Sequence, residues 1–382
     1  MKEGIKVELL KNELQNRIKK CQKQIKKQGY EAYVVSDPDD VWYLTNINYS
    51  PEQRPFLLII FPEKEPVFIV PKLEETHVNV PYFSCEVHAY FDVTAKKGEN
   101  WYEVLTEALS DVSIVGAEEN LPMMVERKIK SVTWEIDTIV KEQRAVKSEY
   151  EIEQIQLTAD ASSKVCNATL QAAKVGSGVL DLYNLPYKVL DPKMLKETFS
   201  ITNRLTNGVW PSDYSHMPHS IPASDAAVDG GPNINVAVFR IGGYASECER
   251  TFFTKEPTAI QRQHFEQMMG ARKLMFSMIR PGVKACELEA AVVNYFKEQG
   301  LDKYLLHRPG HGIGLNNHEE PTLSLGNETR LEENMVISVE PGIYFEGEGG
   351  YRHSDTVRVT KEGYELMTHA PDQLEELIVG SF

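Results

Sequence analysis

The sequence reads as two domains in series, an α/β domain followed by an α+β domain. Three observations predict this. Short apolar runs alternate with helix-forming segments over residues 1–140, the pattern of an α/β unit. A stretch poor in helix breakers, residues 141–174, then forms a long helical lead-in. From residue 199 onward, alternating strand-like segments surround two helices, an α+β pattern. The boundary is placed inside the lead-in, giving domains at 1–145 and 146–382.

In chain order, residues 7–28 mix charge with good helix formers and predict an amphipathic helix. "EAYVVSD" predicts a strand. "RPFLLIIF" and "PVFIVP", split by "PEKE", predict strand–turn–strand, and "VSIVGAEE" another strand before helix-like "PMMVERKIKSV". Residues 141–174 predict one unbroken helix. Beyond it, "FSITNRLTNG", "NINVAVFRIGGYASECERTFF", "MVISVEPGIYF" and "YRHSDTVRVTKEGYELMT" alternate like antiparallel strands. Two helices, at about 258–278 and 285–299, are separated by "RPGVK".

Of the 382 residues 42% are apolar, enough for sizeable cores. The net charge of −15 disfavours nucleic acid and anionic membrane as partners, since both reward lysine and arginine. The five scattered cysteines show no CxxC pair, so a disulfide framework is not expected and a reducing, cytoplasmic setting is. The first twenty residues have no apolar core of a signal peptide, and no run approaches 18 apolar residues.

The run "GHGIGLNNHEEP", residues 310–321, sets His311 and His318 among glycines that permit close approach of a ligand. Alone, it also fits a turn with one structural histidine. "PHSIP" supplies His219, and "VISVEPGIYF" puts Glu340 at the end of an apolar strand. The ordered set of "PHSIP", "GYASECERTF", "GHGIGLNNHEEP", "EPGIY" and "GGYRHSDTVRVT" resembles the pita-bread hydrolases, which include methionine aminopeptidases, prolidases, creatinase and ectoine hydrolase. The first domain is similar to the amino-terminal domain of prolidase and creatinase, most clearly in "DDVWYLTNINYSPEQRPFLLII". The resemblance implies a pita-bread catalytic domain behind a creatinase-like α/β domain.

Peptidases of that family hold two divalent ions with two aspartates, a histidine and two glutamates. Aligned on Gly243, Tyr244, Ser246, Arg250 and Thr251, the first aspartate falls on Val236 and the second on Glu247. The histidine falls on His311, the first glutamate on Glu340, and the second on Ser354. Two of five ligands are therefore missing, and the expectation is that no cofactor is held. A single manganese, cobalt or zinc ion on Glu247, His311 and Glu340 is the lesser alternative, since three protein ligands suffice for some catalytic sites.

Without metal, the resemblance to creatinase implies other roles. Glu249, with Glu340, would grip a substrate guanidinium or amidinium. His219 would be the general acid and base, because an imidazole titrates near neutral pH. His311, His318 and Glu340 complete the expected catalytic set. Arg54, reaching from a partner subunit, would bind a substrate carboxylate, which implies a homodimer. Arg352 would hold a carboxylate or stiffen Glu249. Departures from creatinase include Ser354 at its second histidine, with His353 one residue early and facing the other way on a strand, and Ala245 at a tyrosine.

Plainer roles stand beside these. His219 and His318 could be structural histidines, Glu249 an ion-pair partner of Arg250 or Arg352, and Arg54 a loop cap. His307 and His216 lack motif support, and Trp210 and Tyr214 are as consistent with packing as with a pocket. The expected function is hydrolysis of a C–N bond in a small carboxylate-bearing amidine, guanidine or amide. The alternatives are a divergent Xaa-Pro dipeptidase and a non-catalytic binding protein.

Overall fold

The structure, a computed structural model, describes residues 3–49 and 52–380. Ser50 and Pro51, within the segment that resembles the prolidase amino-terminal domain, lie outside the described residues. The chain forms two compact units, residues 1–144 and 145–382.

The first unit contains α1 (Glu3–Gln28), β1 (Ala32–Val35), α2 (Pro38–Thr45), β2 (Leu57–Ile60), β3 (Val67–Pro71) and β4 (Glu86–Tyr90). It continues through α3 (Trp101–Ala108), β5 (Ile114–Ala117), α4 (Met123–Lys128), β6 (Thr133–Ile136) and α5 (Ile139–Ala145). Its mixed sheet runs β4-β3-β2-β1-β5-β6. The apolar runs "YVV", "LLII" and "VFIV" are buried along their whole length, as central strands covered on both faces must be.

The second unit starts with α6 (Glu149–Ala172), followed by the short helices α7 (Val179–Tyr183), α8 (Pro186–Val189) and α9 (Pro192–Glu197). The unbroken helix expected over 141–174 is interrupted at residues 146–148. Ser148 caps α6 through a capping box: its hydroxyl accepts from Glu151 N at 3.3 Å, and Glu151 Oε2 accepts from Ser148 N at 3.0 Å. That reciprocal pair starts a new helix where periodicity alone reads continuity.

Then come β7 (Arg204–Trp210), α10 (Ser212–Ser215), β8 (Asn233–Ile241), β9 (Tyr244–Phe252), α11 (Ala259–Met278) and α12 (Ala285–Glu298). The last elements are β10 (Val336–Val339), β11 (Gly342–Phe345), β12 (Gly349–Arg352), β13 (Ser354–Thr360) and β14 (Gly363–Leu366). The main sheet is antiparallel, in the order β10-β13-β9-β8-β7 with β14 on β13, and β11–β12 form a separate hairpin. Gly242 and Gly243 turn β8 into β9 at φ +57° and +97°, a conformation that suits glycine in a two-residue hairpin.

The core lies against one face of this sheet. Val165 and Leu170 of α6, Phe265 and Met268 of α11, and Val292 and Phe296 of α12 bury with Ala237, Phe239 and Cys248. Because side chains alternate along a strand, Cys248 facing this core sends Glu247 and Glu249 to the opposite face. Val236, Glu249 and Ser354 are register partners across β8, β9 and β13 on that face.

Candidate metal centre

Three elements bring the site together. β9 carries Glu247 and Glu249, and Glu340 follows β10. Residues 310–313 run beside β10 like an added strand: Ser338 N donates to His311 O at 2.7 Å, and Ile313 N to Val336 O at 2.9 Å. Glycine makes this approach possible. A Cβ on Gly310 would stand 2.3 Å from Ser338 O, and one on Gly312 2.2 Å from Glu320 O.

The buried His311 imidazole sits between two carboxylates, its Nε2 3.1 Å from Glu340 Oε1 and 3.7 Å from Glu247 Oε1. One ligand atom from each of the three residues lies within 4.8 Å of the others. Nδ1 is 3.1 Å from Gly312 O, so that nitrogen donates, and in the neutral ring Nε2 presents its lone pair. No aligned hydrogen bond satisfies Nε2. A lone pair facing two carboxylates is repulsive until a cation lies between them. That cation is either a proton on the ring or a metal ion. A backbone carbonyl on the far ring nitrogen is how metal-ligating histidines are usually oriented. One nitrogen and two carboxylates therefore fit a single divalent ion such as manganese, cobalt or zinc.

The charges respond to this crowding. Burial opposes the imidazolium of His311, but the carboxylates of Glu247 and Glu340 outweigh it and raise the ring to about 9. Burial likewise opposes the Glu340 carboxylate, and His311 reverses it, bringing Glu340 down to about 2. Burial raises Glu247 above the usual carboxylate range despite His311. Both Glu247 oxygens also receive donors, Ser354 Oγ at 2.6 Å and Asn317 Nδ2 at 2.8 Å. Ser354 thus orients Glu247. Val236 packs in an apolar wall with Ile234 and Tyr344, joined by Trp210 and Val238.

His318 lies edge-on to His311, ring centroids 4.1 Å apart. Crowding of its ring and the charge of His311 push it down to about 4. His219 stands exposed in the loop after α10, close enough for its charge to act on His318 and His307. Glu249 is held by the chain's own guanidinium: Arg352 Nε donates to Glu249 Oε2. Arg352 Nη1 also donates to Tyr344 OH at 3.1 Å and Pro218 O at 3.3 Å. Burial raises Glu249 to about 8, and the nearby Arg352 limits that rise.

Two residues of this array escaped the sequence reading. His307 Nδ1 donates to Arg308 O at 2.7 Å, so its Nε2, 2.7 Å from Tyr344 OH, accepts from the phenol. The chain His307–Tyr344–Arg352–Glu249 is continuous. The available signal was Tyr344, four residues past Glu340 in "EPGIY". His353 faces away from the site, edge-on to Phe265 of α11 at 5.3 Å. Arg54 lies in the first unit, half-exposed, with Nε 2.8 Å from Asp92 Oδ2.

The fold brings together a ligand set that fits one cation, and comparison with known proteins supplies the family. Residues 153–361 match Metallopeptidase family M24, and residues 17–146 match the Creatinase/Prolidase N-terminal domain. The chain belongs to the M24 metallopeptidase family: a pita-bread catalytic domain behind a creatinase-type domain, and a hydrolase of carbon–nitrogen bonds. It is similar to the putative dipeptidase YkvY of Bacillus subtilis (strain 168), 28% identical over 94% of this chain and 99% of that protein. An uncharacterized peptidase of Staphylococcus aureus (strain USA300) is 27% identical over 92% of this chain and 99% of its own length. Among solved structures, the prolidase from Pyrococcus horikoshii OT3 superposes with a TM-score of 0.81 at 25% identity, covering 94% of this chain and 99% of that one. Dipeptidase PepE from Mycobacterium ulcerans gives 0.83 at 25% identity, covering 95% and 98%.

These findings correct the expectation that no cofactor is held. The chain is a member of a metallopeptidase family, and Glu247, His311 and Glu340 converge as a ligand set. Val236 and Ser354 remove two of the five family ligands expected from the resemblance, but the remaining three come within 4.8 Å of one another and suffice for one ion. The relatives are peptidases and dipeptidases, so the creatinase-like, metal-independent reading finds no support. No helix among the described residues is long and apolar enough to cross a membrane.

Proposed function

We propose that this protein is a prolidase-like dipeptidase acting on Xaa-Pro or similar short substrates, with one divalent ion held by Glu247, His311 and Glu340. The observation that carries this is the placement of His311 Nε2 between the carboxylates of Glu247 and Glu340, with Nδ1 turned to a backbone carbonyl. The dipeptidase and prolidase names of the relatives support the substrate class. When bound, such an ion polarises a peptide carbonyl and makes water acidic enough to attack it near neutral pH.

The chain's own groups do the rest. His318, pushed down to about 4, is neutral at pH 7 and offers one N–H to a substrate carbonyl beside His311. His219, exposed nearby, is positioned to return a proton to the leaving nitrogen. Burial raises the Tyr344 phenol, so it stays protonated and donates to His307. Arg352, fixed by Glu249, holds positive charge where a substrate carboxylate would dock. The wall of Ile234, Val236 and Tyr344 suits an apolar ring such as proline. The test is cleavage of Xaa-Pro dipeptides by protein loaded with Mn²⁺, and its loss with chelator. Creatine cleavage that chelator leaves untouched would refute the reading.

A further inference from the structure

A buried charge cluster lies behind the site, on the opposite face of β9. Arg250 and Arg272, from β9 and α11, share Asp355 of β13: Arg250 Nη2 is 3.0 Å from Asp355 Oδ1, and Arg272 Nη2 donates to Oδ2. Both arginines also meet Asp372, Arg272 Nη1 at 3.0 Å from Oδ2 and Arg250 Nη2 at 3.4 Å from Oδ1. His353 Nδ1 stands 3.6 Å from Asp372 Oδ1. Asp355 is fully buried, whereas the Asp372 side chain is 33% exposed. Asp372 is thus the outer member that closes the cluster.

The same arginine stitches the sheet where the site needs it. β9 and β13 pair through Ser354 with Glu249 and Asp355 with Cys248, and Thr356 Oγ1 extends the junction by accepting from Glu247 N at 2.9 Å and donating to Glu247 O at 3.0 Å. Arg250 Nη1 spans that short ladder, donating to Glu249 O at 2.7 Å and Ser354 O at 3.1 Å. Its other donors hold the C-terminal segment, Nε to Pro371 O at 2.7 Å and Nη2 to Ala370 O at 3.2 Å. The segment then zips onto the end of β9: Phe253 N donates to Leu377 O at 2.8 Å, and Val379 N to Phe253 O at 2.7 Å. On the other face, this register sets Ser354 Oγ on Glu247 and brings Glu249 to Arg352.

We infer that Asp372 is a positioning residue for the metal centre: by neutralising Arg250 and Arg272 it docks the C-terminal segment, which fixes the β9–β13 register that aims Glu247. Without Asp372, two buried guanidiniums share one carboxylate, and burying an underpaired charge is costly. Arg250 then loses the arrangement that holds Ala370 and Pro371. Because linkage is reciprocal, an ion on Glu247 must in turn tighten the segment. The inference rests on the metal-binding reading above.

The test pairs Mn²⁺ titration calorimetry with hydrogen exchange of residues 367–380, on the whole protein. Asp372→Asn is expected to weaken Mn²⁺ about fivefold, within the range for residues that modulate coupling without touching the ligand. Exchange at Met367 and Val379 should quicken in the variant, and Mn²⁺ should slow it in the wild type. Asp372→Glu should restore most of both effects. Leu105→Ala, buried in the first unit, controls for general loss of stability and should move neither. A freed segment with unchanged Mn²⁺ affinity overturns the inference alone. A wild-type protein that takes up no Mn²⁺ overturns the metal-binding reading and the inference together.

Discussion

Metal affinity should rise steeply with pH, and His311 sets the slope. Its imidazole is raised to about 9, and Nε2 holds its proton where the ion must sit. The proton leaves as the ion binds, so affinity is weakest at low pH and climbs until pH passes about 9. Each pH unit below that value costs about tenfold, or about 1.4 kcal/mol. Between pH 7 and pH 9, at which half the rings still hold the proton, the gain is therefore about 50-fold, or about 2.3 kcal/mol. Glu247, raised by burial, adds to the same sign where it is protonated. Calorimetric Mn²⁺ titrations in two buffers of different ionisation enthalpy would report both affinity and proton release. Close to one proton released per ion at pH 7 is expected. Affinity flat from pH 6.5 to 9, with no proton released, would show that the ion binds elsewhere.

Other consequences follow from individual contacts. Above pH 8, where Glu249 is ionised, Glu249→Gln leaves Arg352 buried without its counter-charge and should cost about 3–5 kcal/mol of stability, read by denaturant unfolding at pH 9; replacing both partners by apolar residues should cost less. His318→Ala should lower kcat for a dipeptide about 100-fold while leaving Mn²⁺ affinity within about twofold, because His318 is outside the ligand set. Val236→Asp with Ser354→Glu should raise Mn²⁺ uptake from one ion to two, measured by elemental analysis. His353, whose ring nitrogens are buried without hydrogen bonds, is pushed down to about 4 by burial. Its neutral form stabilises the fold above pH 6.5, and that contribution fades as pH falls from 6.5 through 4. His353→Phe should remove about 2 kcal/mol of that acid sensitivity between pH 7 and pH 5, seen in urea midpoints at the two pH values.

The parts of the fold written in local pattern were legible. The two glycines between "NINVAVFRI" and "YASECERTFF" mark the β8–β9 hairpin, and Thr258 with Gln261 marks the start of α11 by a capping box. Glu247, His311 and Glu340 were legible as a possible ligand set because each sits in a motif with fixed spacing. What local pattern could not give was convergence. His307 has no motif, and only the turn before His311 together with the β11–β12 hairpin brings it to Tyr344. The choice for Glu249 between Arg250 and Arg352 needed the strand faces: Arg250 points to the core side and Arg352 to the site side. The break ahead of α6 was missed because the periodicity of residues 141–174 runs through it.

The central claim is that Glu247, His311 and Glu340 hold one divalent ion that makes the protein a dipeptidase. Elemental analysis of the dialysed protein after loading with Mn²⁺, run on wild type and His311→Ala, tests it most directly. The account predicts one equivalent of manganese in the wild type and almost none in the variant, with Xaa-Pro cleavage lost in parallel. Equal manganese in both proteins, or cleavage that survives in the variant, would contradict it.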